Sequence, residues 1–388
     1  MTSLRFDAIV VGGGPVGAAA ALALRGQGCA VALLERGGAP PAHDPADYDL
    51  RVYATSPASM QLLDALGAWP EIAARRVSPY VSMRVWERDP AHALRFGAAD
   101  VGRSELGWIV EHGLILDVLW RRLGDIARFE HATIASAEFG APESVLRLAD
   151  GRELRARLVV AADGADSQLR ALAGIDTVGW AYAHHAIVCH VQTGRPHEAT
   201  AWQRFLGTGP LAFLPLADGR CSIVWSAEQP LAAELLALDD AAFMTRLGAA
   251  AEYALGEVTA VTRRISFPLR LQHATEYVRP GLVLVGDAAH TVHPLAGQGV
   301  NLGFADVAQL GATLAEAREA GRDPYSLRNL QRYGRARKAQ NVEMLALTDS
   351  LYRAFRLRLP GLKAALGLGL EAVDRLGPLK GWLARQAL

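Results

Sequence analysis

The chain has 388 residues, and 51% of them are hydrophobic, so it is long and apolar enough to bury a large core and form two domains. Forty basic and forty acidic residues give a formal net charge of zero, which excludes nucleic-acid binding through a strong overall positive field. The three cysteines (Cys29, Cys189 and Cys221) are scattered without C-x-x-C spacing, which argues against a disulfide framework or a zinc site.

The N-terminus carries the pattern of a dinucleotide-binding unit. An apolar run at residues 6–11 is followed by Gly12, Gly14 and Gly17 in G-x-G-x-x-G spacing, and then by an alanine-rich run at 18–24. In a strand–turn–helix unit, the first glycine permits the tight turn and the second lets a pyrophosphate approach the backbone. The third lets the helix pack closely on the strand.

A second apolar run at 31–34 ends at Glu35, which lies 23 positions after Gly12. A carboxylate at this place accepts hydrogen bonds from a ribose diol, and its charge repels the 2′-phosphate of NADP. Together with the glycine spacing, it predicts that the unit binds an adenine dinucleotide.

The middle of the chain repeats the strand-and-turn pattern. Residues 144–154 are typical of a hairpin that turns at an Asp-Gly pair. An apolar run at 158–162 then ends at Asp163 and Gly164, and a helix is expected to follow. We therefore predict a second strand end beside the nucleotide.

A different pattern occupies the next segment and predicts an antiparallel sheet. Residues 183–192 alternate apolar and polar side chains, and residues 212–216 face 221–225 across an Asp-Gly turn. We expect strands at 81–87 and 263–270 to complete this sheet, and helices at 231–255 to cover it.

The most informative segment comes later. An apolar run at 282–285 ends in a glycine-rich stretch at 286–303, which precedes a helix at 304–317. The residues of interest in this stretch are Gly286, Asp287, Gly297, Gly299, Asn301 and Gly303. Bare backbone entering a helix N-terminus is a ready anion site, because unpaired N–H groups and the helix dipole point outward. We predict that it holds a negatively charged part of a cofactor.

From residue 325 onward the pattern is helical, with breaks at Pro360 and Pro378. The tail at 350–388 has seven basic residues, two acidic ones and apolar residues at near-helical spacing. It is either a basic amphipathic surface that touches a membrane or a set of helices that packs on the nucleotide domain or a partner. The N-terminus lacks a targeting pattern, so we expect a cytoplasmic protein, peripherally membrane-associated if the tail binds lipid.

The three motifs, in this order and spacing, resemble those of the flavin-dependent aromatic hydroxylases with the para-hydroxybenzoate-hydroxylase fold. Within that group, the segment from His293 to Gly303 followed by Asp306 looks like the signature of the ubiquinone-biosynthesis hydroxylases. Residues 202–205 and 209–215 also look like that family, and the resemblance covers essentially the whole chain.

The resemblance implies an α/β fold with a Rossmann-like FAD-binding domain, an inserted antiparallel-sheet substrate domain and a helical C-terminal tail. The expected FAD-binding segments are 1–75, 101–176 and 269–345. The expected substrate-domain segments are 76–100 and 177–268, and the expected C-terminal helical segment is 346–388.

FAD is the resident cofactor that the resemblance implies. It assigns the pyrophosphate to Gly12, Gly14 and Gly17, the adenosine ribose to Glu35, the ribityl chain to Asp287, and the pyrimidine edge of the flavin to backbone N–H groups of Gly299 and Asn301. Further cofactor contacts are implied at Arg51, Asp163, Gly164, Gly286, Pro294, Gly297, Gln298 and Val300. Many members have an asparagine–arginine pair where this chain has His112 and Gly113, so no contact is carried over to those two residues.

The implied function is an FAD-dependent monooxygenase that uses O2 to hydroxylate the aromatic ring of a polyprenylated phenol or quinol in ubiquinone biosynthesis, through a C4a-hydroperoxyflavin. No second G-x-G-x-x-G unit exists, so NAD(P)H or another electron donor is expected to bind transiently. Two alternatives stay open. One is a flavoprotein of the same fold acting on a small soluble aromatic, and the other is a non-catalytic quinone-binding subunit of a biosynthetic complex.

No general base can be assigned from the sequence. Phe213 and Trp225 are candidates to cover the substrate ring, although plain core packing is the favoured interpretation. His293 is expected to support the flavin loop rather than to transfer protons, and the same holds for His290. His184, His185 and His190 alternate around an expected strand and lack carboxylate neighbours, so no metal site is expected.

Overall fold

The computed structural model describes residues 3–291 and 299–356. Its strands, in chain order, are β1 (Ser3–Val11), β2 (Val31–Glu35), β3 (Val52–Thr55), β4 (Ser78–Tyr80), β5 (Ser82–Trp86), β6 (Leu94–Gly97), β7 (Gly107–Glu111), β8 (Ala127–Glu130), β9 (Ile134–Glu138), β10 (Ser144–Leu148), β11 (Glu153–Ala161), β12 (Thr177–Thr193), β13 (Thr200–Leu206), β14 (Gly209–Pro215), β15 (Cys221–Glu228), β16 (Val258–Val261), β17 (Ile265–Ala274), β18 (Val278–Arg279), β19 (Leu282–Leu284) and β20 (His290–Thr291).

The α-helices are α1 (Pro15–Gly26), α2 (Pro57–Ala65), α3 (Trp69–Arg75), α4 (His112–Arg122), α5 (Gln168–Leu172), α6 (Gln229–Ala237), α7 (Asp240–Ala250), α8 (Gly299–Glu319) and α9 (Leu327–Arg356). Within the described ranges, no helix combines the length and the apolar composition that crossing a bilayer requires.

An eight-stranded sheet forms the nucleotide-binding part of the molecule, in the order β18-β19-β11-β1-β2-β8, with β10 and β9 added beside β11. Strands β19, β11, β1, β2 and β8 run parallel to one another. Parallel strands buried on both faces require continuous apolar runs, which is what the sequence supplies at 8–11 and 158–161.

The carboxyl ends of these strands meet at one edge of the sheet, because the strands are parallel. Hydrogen bonds stitch the turns together: the amide of Gly12 donates to Leu34 (2.8 Å), that of Ala162 to Val11 (2.8 Å) and that of Val285 to Ala161 (3.0 Å). The strand ends near positions 12, 163 and 287 therefore lie close together in space.

The second sheet has nine strands and two different faces, with the path β20-β17-β12-β15-β14-β13-β5-β6 and β16 beside β12. Its outer face is covered by α6 and α7, as predicted from residues 231–255, and its inner face turns toward the nucleotide-binding part of the chain. The predicted hairpin is present as β14 and β15, with Phe213 opposite Ile223.

A three-stranded sheet, in the order β3-β7-β4, was not predicted from the sequence. It packs against the inner face of the nine-stranded sheet, where Tyr80 and Ile109 share one buried apolar cluster with Ala201 and Leu214. Its strands have only three to five residues each, too few for an alternating pattern to emerge. This small sheet carries the residues around Arg51 to the edge of the cofactor site.

Candidate active site

The turn after β1 can be built only from glycine at two of its three signature positions. Gly12 has φ of +104°, and a Cβ on it would lie 2.2 Å from the carbonyl oxygen of Ala162. A Cβ on Gly17 would lie 1.9 Å from the carbonyl oxygen of Gly12. A Cβ added to Gly14 would have no neighbouring atom within 4 Å, so the backbone of this glycine is open to a ligand.

Helix α1 starts without a side-chain cap, because its N-cap is Gly14. Pro15 follows at the first helical position, where its fixed φ suits the helix and its missing N–H costs nothing. The other first-turn N–H groups have no partner inside the helix and face the opening beside Gly14. This end therefore fits a pyrophosphate.

Glu35 closes the other side of the turn. One of its carboxylate oxygens accepts from the amide of Gly13 (2.5 Å), and the other accepts from the amide of Gly37 (2.6 Å). Each oxygen has a second lone pair. The carboxylate is thus held in place by backbone and still has acceptor capacity for a ribose diol.

Asp163 and Gly164 have different roles in the second turn. Both carboxylate oxygens of Asp163 are used locally, by the Ser167 hydroxyl (2.6 Å) and by the Leu169 amide (3.0 Å), so this side chain shapes the turn into α5. Gly164 has φ of +84° and no atom within 4 Å of where a Cβ would be. The open surface of this turn is therefore the backbone of Gly164.

The third turn brings a carboxylate into the site. Gly286 has φ of +59°, and a Cβ added to it would lie 3.2 Å from the Val16 side chain of α1. The third turn therefore packs against the first glycine unit. The side chain of Asp287 is exposed to solvent, although the protein packed around it limits its hydration. This desolvation raises its pKa, while the positive potential of His290, Arg51 and Arg270 opposes the rise.

Arg51 belongs to a small cluster beside Asp287. Its guanidinium lies 5.3 Å from the ring centroid of Tyr53, whose hydroxyl is 2.8 Å from Nδ1 of His112. Burial raises the pKa of Tyr53 to about 12, and burial together with Arg51 lowers the pKa of His112 to about 4. Sequence reasoning missed Tyr53 and His112, because their pairing depends on β3 and β7 being neighbours.

Asn301 has a side-chain role that the sequence did not indicate. Its Oδ1 accepts from the Ser56 amide (3.1 Å) and from the Ser59 hydroxyl (2.7 Å), and its Nδ2 donates to the Ala54 carbonyl (2.8 Å). The side chain therefore fastens the start of α8 to β3 and α2. Gly299, which begins α8, has open space beside it, and Val300 is buried.

Part of the predicted flavin loop lies outside the described residues. This part is residues 292–298, and it includes His293, Pro294, Gly297 and Gln298, all of which were assigned a role from the sequence. His290, just before it, is buried and lies 2.6 Å through Nε2 from the carboxylate of Asp306. The supporting role expected for His290 agrees with this contact.

Phe213 and Trp225 lie on the outer face of the nine-stranded sheet, in the core formed with α6 and α7. The ring of Trp225 is 6.3 Å from that of Phe243 in α7. Core packing, the favoured interpretation, thus describes both residues. On the inner face, Ala186, Leu269 and Leu271 form an apolar cluster against Val224.

The strand that carries Leu269 and Leu271 of the inner-face cluster leads to the third turn. Strand β17 continues from Leu271 to His273, which pairs with His290 just after the third turn. Arg270 on the same strand binds Asp166 through two hydrogen bonds (2.7 and 2.9 Å), and so bridges β17 and the second turn. Among residues 3–291 and 299–356 there is no cluster that would hold a metal ion.

The fold and the three glycine turns define a dinucleotide-binding protein with an apolar surface beside the cofactor end of the site. The comparisons with known proteins agree. The FAD binding domain family matches residues 5–346. The chain is 39% identical over 392 residues to 3-demethoxyubiquinol 3-hydroxylase of Escherichia coli K12, with 100% of this chain and 98% of the relative covered.

It is also 39% identical over 388 residues to ubiquinone hydroxylase UbiL of Rhodospirillum rubrum, with coverage of 98% and 89%. Among solved structures, p-nitrophenol 4-monooxygenase PnpA of Pseudomonas putida DLL-E4 has a TM-score of 0.77 at 18% identity, covering 100% of this chain and 98% of that one. This likeness supports the fold. The chain belongs to the FAD-binding family of ubiquinone-biosynthesis hydroxylases, and it is an FAD-dependent monooxygenase.

Proposed function

We propose that the protein hydroxylates the aromatic ring of a polyprenylated phenol or quinol on the route to ubiquinone. The observation that carries the proposal is the full-length 39% identity to a hydroxylase of demethoxyubiquinol. Both alternative functions predict a different substrate behaviour and are outcomes of the experiment below.

The inner face of the nine-stranded sheet supports a lipophilic substrate. Leu269 and Leu271 are buried there, and three large apolar side chains on the neighbouring parts of β12 and β17 are exposed: Val178, Trp180 and Phe267. Exposed apolar side chains that adjoin a site are typical of a binding groove. We propose that the ring rests on Leu269, Leu271 and Val224, and that the prenyl tail leaves along the exposed residues.

The cofactor contacts implied by the family are retained as proposals. Gly12, Gly14 and Gly17 admit the pyrophosphate to the N-terminus of α1, and Glu35 accepts from the ribose. Asp287 orients the ribityl chain from the third turn. Gly164, Gly286, Gly299, Val300 and the backbone of Asn301 complete the described wall, and Asp163 acts by shaping its turn. The undescribed Pro294, Gly297 and Gln298 keep their proposed contacts.

Bound FAD supplies the redox chemistry, in which reducing equivalents and O2 yield ring hydroxylation and water. The chain supplies position and shielding: apolar residues of the inner face exclude water from the reacting ring. Arg51, 5.3 Å from the Tyr53 ring centroid, contributes positive potential at the Asp287 side of the site. Such a potential favours negative charge on a reduced cofactor.

The electron donor is proposed to be NAD(P)H, bound transiently. Its supporting feature is the open backbone of Gly164, next to the exposed Arg270–Asp166 pair. The segments given above are proposed as the domains. Strands β5, β6 and β12–β16 lie in the substrate-domain segments, and β17 crosses the proposed boundary at residues 268 and 269. For the tail at 346–388 we propose peripheral membrane contact or contact with other ubiquinone-biosynthesis proteins.

The test is turnover of purified protein that retains FAD. With a polyprenylated phenol, NAD(P)H oxidation should be coupled to formation of the hydroxylated ring, identified by mass spectrometry. A matched phenol without the prenyl chain should couple poorly. Efficient coupling with the unprenylated phenol would favour the small-aromatic alternative, and FAD that no donor reduces would favour the non-catalytic one.

A further inference from the structure

A stripe of polar side chains on α9 is buried against the cofactor turn. Tyr333, Arg337 and Asn341 are spaced four residues apart and therefore lie on one face of the helix. All three are almost completely inaccessible to solvent, at 0%, 4% and 0% exposure. A helix normally buries an apolar stripe, so three buried polar groups in line require partners.

Each of these three side chains hydrogen-bonds to a residue that lies beside the turn at Gly286 and Asp287. The hydroxyl of Tyr333 donates to the carbonyl of Leu284, two residues before Gly286 (2.6 Å). The Nε of Arg337 donates to Oδ1 of Asp306 (2.6 Å). The Nδ2 of Asn341 contacts the hydroxyl of Tyr277 (3.2 Å), and its Oδ1 accepts from Arg337 (2.8 Å).

Asp306 transmits these contacts to the turn. Its Oδ2 accepts from the amide of Gly286 (2.8 Å) and lies 2.6 Å from Nε2 of His290. Burial alone would raise the pKa of Asp306, but His290 and Arg337 offset burial and hold the pKa below its usual range. One carboxylate thus joins α9 to both ends of the segment that presents Asp287.

We propose that Arg337, with Tyr333 and Asn341, is a positioning residue for the cofactor, so that the placement of α9 controls how tightly and at what potential FAD is held. Arg337 does not touch the cofactor site itself. It neutralises Asp306, and Asp306 fixes the Gly286 amide and His290. Without the guanidinium, the fully buried carboxylate keeps His290 but loses one of the two groups that offset its burial, and we expect the turn that carries Asp287 to rearrange.

The experiment compares deflavinated variants for FAD affinity, measured by quenching of flavin fluorescence. Arg337→Met should weaken FAD binding about tenfold, or ~1.4 kcal/mol, and should shift the visible spectrum and midpoint potential of the bound flavin. Arg337→Lys keeps the positive charge but loses the several N–H donors of the guanidinium, so it should recover only part of the FAD affinity. Arg335→Met is the matched control, because Arg335 is exposed two residues away on the same helix.

A second control separates positioning from general stability. Leu247→Ala removes a buried side chain of α7, in the core on the outer face of the nine-stranded sheet, and should lower the melting temperature without changing the FAD affinity. If Leu247→Ala weakens FAD as much as Arg337→Met does, the proposal is wrong. It is also wrong if Arg337→Met binds FAD with the affinity and spectrum of the unaltered protein.

A milder variant keeps the test decisive if Arg337→Met does not fold. Tyr333→Phe removes only the hydroxyl that donates to Leu284, and we expect a smaller loss of FAD affinity with a changed flavin spectrum. Unchanged affinity and spectrum in this variant would then overturn the proposal. The proposal rests on FAD binding and not on the identity of the substrate, so failure to hydroxylate polyprenylphenols leaves it intact.

Discussion

At the scale of single residues, the site is defined by where a side chain is impossible. Gly17 must lack a Cβ because the carbonyl of Gly12 occupies that position. A Cβ added to Gly26, at the other end of α1, would have no neighbouring atom within 4 Å. Two glycines in one helix thus have opposite constraints, and they form a natural pair for comparison.

Gly17→Ala should therefore reduce FAD retention by about tenfold or more and destabilise the protein by about 1–3 kcal/mol, because backbone of the first turn must move. Gly26→Ala should change stability by no more than about 1 kcal/mol, in the stabilising direction, and should leave FAD bound. Flavin absorbance per chain and urea unfolding measure both effects. Equal FAD content in the two variants would contradict the assigned role of Gly17.

Asp287 offers a test by pH. Because desolvation raises its pKa above the ordinary 3.8, the ionised form costs folding stability at neutral pH, and that cost vanishes once pH falls below the ordinary value. Asp287→Asn should raise the melting temperature of the apoprotein near pH 7, and the difference should fade toward about pH 4.

The same substitution should weaken FAD binding, since the ribityl contact proposed for the carboxylate is lost. Asp64→Asn, an exposed position on α2, is the control and should alter neither quantity. A stability difference for Asp287→Asn that grows as pH falls would show that the carboxylate is not desolvated.

At the scale of elements, the sequence predicted those with a strong local pattern. The G-x-G-x-x-G unit, the hairpin at 144–154 and the β14–β15 hairpin were found because glycine, Asp-Gly turns and alternation act over a few residues. The sheet of β3, β4 and β7 was missed, since its strands are short and β3 pairs with β7 across more than 50 residues. The Tyr53–His112 contact and the contact of Asp306 with Arg337 join residues that are far apart in the chain, so no local pattern predicted them.

Strand β17 carries a prediction about substrate length. Phe267 is exposed on the inner-face side of this strand, where we place the prenyl tail. Phe267→Ser should raise KM for a long-chain polyprenylphenol several-fold and leave KM for a short-chain analogue unchanged. Leu327→Ser, at an exposed apolar position on α9, should change neither KM. An equal rise of KM for both substrates would argue that Phe267 contacts the ring region instead.

At the scale of the whole molecule, the tail should be separable from the cofactor site. The stripe on α9 ends at Asn341, so a chain that stops at residue 349 keeps every described contact to the cofactor turn. We expect this truncated protein to retain FAD and to lose sedimentation with anionic phospholipid vesicles, because seven basic residues are removed.

The full-length variant Arg375→Gln, Lys380→Gln and Arg385→Gln separates charge from length. It should sediment with vesicles less than the unaltered protein, and the difference should shrink at high salt. Undiminished sedimentation of the truncated protein would remove the tail as the membrane contact.

The strand order of the large sheet has a consequence for synthesis. Strand β19 is the outer neighbour of β11, yet it is made more than 100 residues after β11. A nascent chain that has emerged as far as the turn after β11 has two of the three turns, an unpaired sheet edge and no Asp287. We therefore expect tight FAD binding only after the third turn, at Gly286 and Asp287, has been synthesised, more than 100 residues after the second turn.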